Sequence, residues 1–106
     1  MTVDLNEVAR ALAEPWQPQV VAEANGFQMK AVRLHGEFPW HKHDQEDELF
    51  YCLEGAFRIE LEGADAANLT AGYVFVVPAG VEHRPVAEEP ALALLFERAE
   101  TAQYGD

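Results

Sequence analysis

A chain of 106 residues with 49% apolar side chains is the size of one domain with one modest core, and its composition lies well outside that of disordered segments. Nineteen acidic against seven basic side chains give a formal charge of −12, a field that repels nucleic-acid phosphates and anionic lipid and argues against both as partners. No apolar run approaches the roughly 20 residues of a bilayer span, residues 1–14 are acidic and amphipathic rather than signal-like, and the lone Cys52 has no partner for an intramolecular disulfide; a cytoplasmic protein is expected.

In chain order, Leu5, Val8, Ala9, Leu12 and Ala13 share one stripe of a helix predicted over 4–14, with Asp4 as N-cap, Glu7 three positions on and Pro15 as terminator. From Gln17 onward, short runs rich in Val, Phe, Leu and Ile are cut by Gly, Pro and Asn at close intervals, which reads as all-β. Strands are predicted at 19–24, 27–35, 38–43, 48–53, 57–62, 73–77, 81–85 and 92–98. Asn25 and Gly26 tolerate the positive φ of a type I′ hairpin turn. Turns are also predicted at 54–55, 70–72 and 78–80, and Glu88, Glu89 and Pro90 are expected to break the chain before the last strand. Many short antiparallel strands in about 80 residues satisfy their edges by curling into a small barrel or two-sheet jelly roll. No linker or repeat divides the chain, so one domain over 1–106 is expected, with a helical segment at 1–15, a barrel at 16–98 and a tail at 99–106.

Three of the four histidines stand at patterned positions. On an extended segment His41 and His43 project from the same face, close enough to share one ion. The polar loop 44–47 can reverse the chain and return Glu48 to the same place, with Phe50 and Cys52 on its side of the strand. His83 arrives from the second half, just after the turn of Pro78, Ala79 and Gly80. Imidazole nitrogens with one carboxylate oxygen suit first-row divalent metals, and four protein ligands leave positions open for water or substrate on an octahedral ion. The competing reading is a buried, hydrogen-bonded polar cluster without metal, against which the desolvation of each ion counts several kcal/mol.

The order Gly36, four residues, His41, Lys42, His43, four residues, Glu48, six residues, Gly55, followed by Gly72, five residues, Pro78, Ala79, Gly80, two residues, His83, resembles the two signature motifs of the cupin family. The resemblance runs from about Gln17 through Arg98 and is similar to small single-domain cupins. It implies a small antiparallel double-stranded β-helix, a jelly-roll barrel, with metal ligation by His41, His43, Glu48 and His83 inside it. Two departures stand out: four residues rather than the usual five precede the first histidine, and Ala87 stands where the second motif often has asparagine. Neither position is a ligand. The 16 residues of 56–71 between the motifs leave no room there for a lid.

Other notable residues take plainer readings. His35 lies outside the ligand spacing and is expected at a strand-end surface or as a satisfied core residue. Cys52 is expected to be a buried, inert thiol. Phe38, Trp40, Phe50, Phe57, Phe75 and Phe96 are expected to fill the barrel or an interface, with those near the mouth able to line a pocket. The basic residues Lys30, Arg33, Lys42, Arg58 and Arg84 are scattered, and no anion pocket is predicted from them. The resemblance then implies a metal-dependent enzyme acting on a small polar molecule, of oxygenase or isomerase type, with Fe, Mn, Ni or Zn as the ion. The alternative is a non-enzymatic metal- or small-ligand-binding or sensor protein. A homodimer is expected, because an open two-sheet barrel leaves free edges and an outer apolar face. The N-terminal helix is expected over one barrel end or the dimer contact.

Overall fold

The computed structural model describes residues 2–106. Its elements are α1 (Leu5–Ala11), β1 (Gln19–Ala24), β2 (Phe27–Glu37), β3 (Glu48–Glu54), β4 (Ala56–Leu61), β5 (Ala64–Thr70), β6 (Val74–Val77) and β7 (His83–Arg98). The Asp4 side chain accepts hydrogen bonds from the backbone N–H groups of Asn6 and Glu7, so it caps α1 as its position predicts. The helix is shorter than its apolar stripe and stops at Ala11. Leu12 is already extended, three residues before Pro15, a residue that cannot continue a helix and restricts the one before it. Ala9, Val8 and Leu12 pack against Ala31, Leu92 and Leu94. The helix therefore covers the outer face of the sheet formed by β2 and β7 rather than a barrel end.

The 16-residue β7 organises both layers. Its first half pairs antiparallel with β4, from Leu61 opposite His83 to Arg58 opposite Val86. Its second half lies between β2 and β3, with Val32 and Cys52 both opposite Ala93. β1 and β6 close the outer flanks of that second layer, and β5 lies beyond β4. Residues 83–85 of the predicted 81–85 and all of 92–98 are thus parts of one strand, and Glu88, Glu89 and Pro90 do not break it. The three residues are exposed at a register shift between Leu34 and Gly36 of β2, where no ladder bond is asked of the proline nitrogen.

Two further differences from the sequence pattern have local causes. Segment 38–43 forms no strand; only His41 bridges, to His83. Pro39 has no N–H to offer a ladder. Conversely, 64–70 does form a strand despite its poor β-formers Ala64, Asp65 and Asn68, because it folds back on β4 through Glu62 and Gly63. Side chains alternating inward from both layers, among them Leu34, Ile59, Leu69 and Val77, form the core. Each such burial is worth about 1.5–3 kcal/mol.

Gly55 makes the tightest of the strand turns. It holds φ at +83°, and a Cβ there would lie 3.2 Å from the Pro90 oxygen and 3.3 Å from Ala91. Gly26 has a similar φ of +79° with open space around it. Gly55→Val should therefore cost about 3 kcal/mol, combining left-handed strain with overpacking, while Gly26→Ala should cost about 1 kcal/mol. Urea unfolding followed by circular dichroism checks this, and equal midpoints for the two variants would contradict it.

Candidate metal centre

Glu48 opens β3 and His83 opens β7, two strands that share the barrel wall. Period-two alternation turns Glu48, Phe50 and Cys52 inward while Leu49, Tyr51 and Leu53 stay half-buried on the other face. The His41 N–H donates to the His83 carbonyl at 3.0 Å, and the His83 N–H donates to the His41 carbonyl at 2.8 Å. That reciprocal bridge sets the two imidazoles side by side, with ring centroids 4.3 Å apart. Two more bonds clip the turn at 78–80 to the ligand loop: Gly80 N–H to the His43 carbonyl and Ala79 N–H to Asp47 Oδ1, each at 2.8 Å.

The structure brings all four predicted residues together. His41, His43, Glu48 and His83 are buried, and one nitrogen or oxygen from each lies within 4.8 Å of the others. Glu48 Oε1 is 3.4 Å from His83 Nε2 and 3.5 Å from His43 Nε2. Around a six-coordinate ion with bonds of about 2.1 Å, adjacent donors stand about 3 Å apart and opposite ones about 4.2 Å. These four residues could therefore bind a metal ion after a small contraction.

The surroundings of the rings fit that use. His41 Nδ1 lies 2.9 Å from the Pro39 carbonyl and His83 Nδ1 lies 2.8 Å from the Val81 carbonyl. A carbonyl only accepts, so each Nδ1 carries a proton and each Nε2 is left for the cluster, the arrangement that orients imidazole ligands. His43 is 2% exposed, and neither of its ring nitrogens has a hydrogen-bond partner among the described residues. Leaving such an atom unsatisfied costs about 1–3 kcal/mol, and coordination would relieve it.

Electrostatics divide the cluster. Burial lowers the pKa of His41, with repulsion from His83 and His43 adding to it and the Pro39 carbonyl opposing. The Glu48 carboxylate beside His43 raises the pKa of that ring against the effect of burial. Burial disfavours ionisation of Glu48, but the imidazoles of His43 and His83 outweigh it and hold the group well below the usual carboxylate range. The cluster thus keeps a carboxylate ready for a cation.

A narrow cavity of about 40 Å³ lies beside the cluster. His41 and Glu48 reach it, and so do Lys30, which the sequence shows only as one of several scattered basic residues, and Glu97, which no sequence motif marks. Lys30 Nζ donates to Glu97 Oε1 at 2.8 Å, and both side chains are largely buried. Burial, followed by the negative charge of Glu48, pushes the Glu97 pKa up to about 8, with Lys30 opposing. Strand parity carries the signal for both: Lys30 is two residues before the buried Val32, and Glu97 two after Leu95. Near the mouth, Tyr104 stacks on Phe38 at 4.9 Å and Gln103 Nε2 donates to the Trp16 carbonyl. The C-terminal residues therefore provide cover that the short 56–71 connection cannot.

The remaining candidates lie elsewhere. His35 is exposed. Trp40 is outside the cavity, with the Arg84 guanidinium 5.1 Å from its ring centre. Cys52 is buried, its thiol pKa raised by that burial, which leaves it little thiolate.

Residues 31–97 match the family model of the cupin domain. The chain is 31% identical over 81 residues to the uncharacterized protein YdbB of Bacillus subtilis (strain 168), covering 76% of this chain and 72% of that one. A cupin-2 domain containing protein from Shewanella frigidimarina NCIMB 400 superposes with a TM-score of 0.87 at 36% identity, over 91% of this chain and 93% of that chain. The hydroquinone 1,2-dioxygenase PnpCD, solved with Cd2+ and 4-hydroxybenzonitrile, shares the fold at a TM-score of 0.78 and 22% identity, over 97% of this chain and 74% of that chain.

His43→Ala should lower metal affinity by more than about 100-fold while leaving the far-ultraviolet circular dichroism unchanged, as read by competition with a chromophoric chelator. Lowering the pH should release the ion from the wild type. Proton and metal compete for the same imidazole nitrogens, and the raised pKa of His43 makes that ring protonate before His41 as pH falls. Full occupancy at about pH 5 would contradict histidine coordination.

Proposed function

The chain belongs to the cupin family, and from that membership we propose that His41, His43, Glu48 and His83 hold a divalent transition-metal ion, Fe, Mn, Ni or Zn, in an enzyme that acts on a small polar molecule. The observation that carries this reading is the His43 ring, buried with both nitrogens unpartnered beside three other donors at the wall of a cavity. When bound, the ion supplies Lewis acidity and, if redox-active, a site for dioxygen.

The chain's own residues divide the remaining work. The carbonyls of Pro39 and Val81 fix the ring orientations of His41 and His83. Val32, Leu34, Phe38, Phe50 and Leu95 give the cavity apolar walls that limit water and set the size of what enters. Glu48, as a ligand, is not free to act as a general base, so an isomerase would need a second proton-carrying group and an oxygenase would not. A second reading, a metal- or ligand-binding sensor without turnover, draws support from the narrowness of the cavity.

Association with a second copy belongs to the same proposal. β6 is an edge strand with Val74 and Val76 exposed, and Phe96 on the neighbouring part of the sheet is also exposed. Among the described residues, no helix is long and apolar enough to cross a membrane.

Protein purified without chelator or histidine tag should contain close to one transition-metal ion per chain by elemental analysis, with anomalous scattering at the four-residue cluster. The loaded protein should consume oxygen or turn over at least one member of a panel of small acids, thiols and sugars. Inertness of Fe-, Mn-, Ni- and Zn-loaded forms to the whole panel would favour the binding reading. Size-exclusion chromatography at micromolar concentration should give a dimer, and a monomeric elution would contradict the proposed association.

A further inference from the structure

Among the described residues, Lys30 is the one lysine or arginine in the wall of the cavity that the metal cluster adjoins. It stands on β2 directly opposite Leu95, so Glu97 is its diagonal neighbour on β7, and the two side chains meet at 2.8 Å. An ammonium has three donors. Glu97 Oε1 is its one side-chain partner among the described residues, which leaves donors for a molecule in the cavity. The other nearby walls, Val32, Leu34 and Phe50, offer no side-chain acceptor.

The balance of charge gives the sign of that molecule. With a divalent ion on the cluster, the positive groups of the cavity are the ion and Lys30, and the negative ones are Glu48 and Glu97. One positive charge is left over when Glu97 is ionised and two when it is protonated, so an anion is favoured in either state. Resting on the metal reading above, we infer that Lys30 is a specificity-determining residue that binds the carboxylate of a small hydroxy- or oxo-acid whose other oxygen takes an open position on the ion. Glu97 positions the ammonium through its hydrogen bond. The apolar walls keep the acid small.

Cobalt-loaded protein tests this with glycolate and its neutral counterpart glycolamide as probes, followed by calorimetry and by the visible bands of the bound cobalt. Wild type should bind glycolate at least about tenfold more tightly than glycolamide. Lys30→Gln should lose about tenfold or more of the glycolate affinity with glycolamide binding unchanged, Lys30→Arg should retain most of it, and the cobalt bands before ligand addition should be the same in all three. Equal glycolate affinity in wild type and Lys30→Gln, with cobalt bound in both, would overturn the role of Lys30 and leave the metal reading standing. A wild type that binds both probes equally would do the same without recourse to any variant. Absence of cobalt bands in the wild type would overturn the metal reading and this inference with it.

Discussion

The reciprocal pair of backbone hydrogen bonds between His41 and His83 is the contact on which the site depends. It joins a segment that forms no strand of its own to the start of the strand that both layers share. Without it the segment around His41 would lose its one ladder contact, and each backbone residue left to be ordered by an ion would cost about 1–2 kcal/mol. The turn at 78–80 reinforces the bridge by donating to the His43 carbonyl and to Asp47. At the other end of the chain, Asp106 accepts from the Asp44 N–H at 2.7 Å and donates its own N–H to the Lys42 carbonyl. The ligand loop is thus tied to three separate parts of the chain before any ion arrives, which is the preorganisation that a metal site needs.

How much of this could be read in advance depended on whether local pattern or tertiary partner decided the outcome. Asp4 as a cap, the positive-φ turn of Asn25 and Gly26, and the inward parity of Glu48, Phe50 and Cys52 are local facts, and the structure follows them. The convergence of His41, His43, Glu48 and His83 was legible from motif spacing, since two separate stretches had to agree. Three features turned on partners instead. β5 forms because β4 has an edge to fill, against the weak propensity of Ala64, Asp65 and Asn68. Pro90 is carried inside β7 because a bulge needs no donor there. Segment 38–43 stays a loop because Pro39 and the lone His41 bridge leave no ladder to extend.

Lys30 shows a different limit. Its parity with Val32 and Leu34 points inward, but in the sequence it is one of several scattered basic residues with nothing to mark a partner. The structure supplies that partner, Glu97, from the adjacent strand. Such a pair is rarely a gain in stability, because desolvating two ions costs several kcal/mol each and apolar residues of the same volume would fill the space more cheaply. The sequence position of each partner is unremarkable; only the antiparallel register of β2 with β7 makes them a pair.

The chain's negative field and the positive local balance proposed for the cavity act over different ranges. A formal charge of −12 draws cations toward the molecule, yet at physiological salt the attraction is screened beyond about 8 Å. Within the cavity, low-dielectric walls and short distances let a few groups decide the sign. Metal-free, those groups include Glu48, Glu97 and Lys30, and burial, followed by the charge of Glu48, pushes the Glu97 pKa up to about 8. A dication on the cluster would add two positive charges to these three groups, whose own sum is zero with Glu97 protonated and minus one with it ionised. A cavity with no surplus positive charge on these groups in the metal-free protein would then favour an anion in the loaded protein.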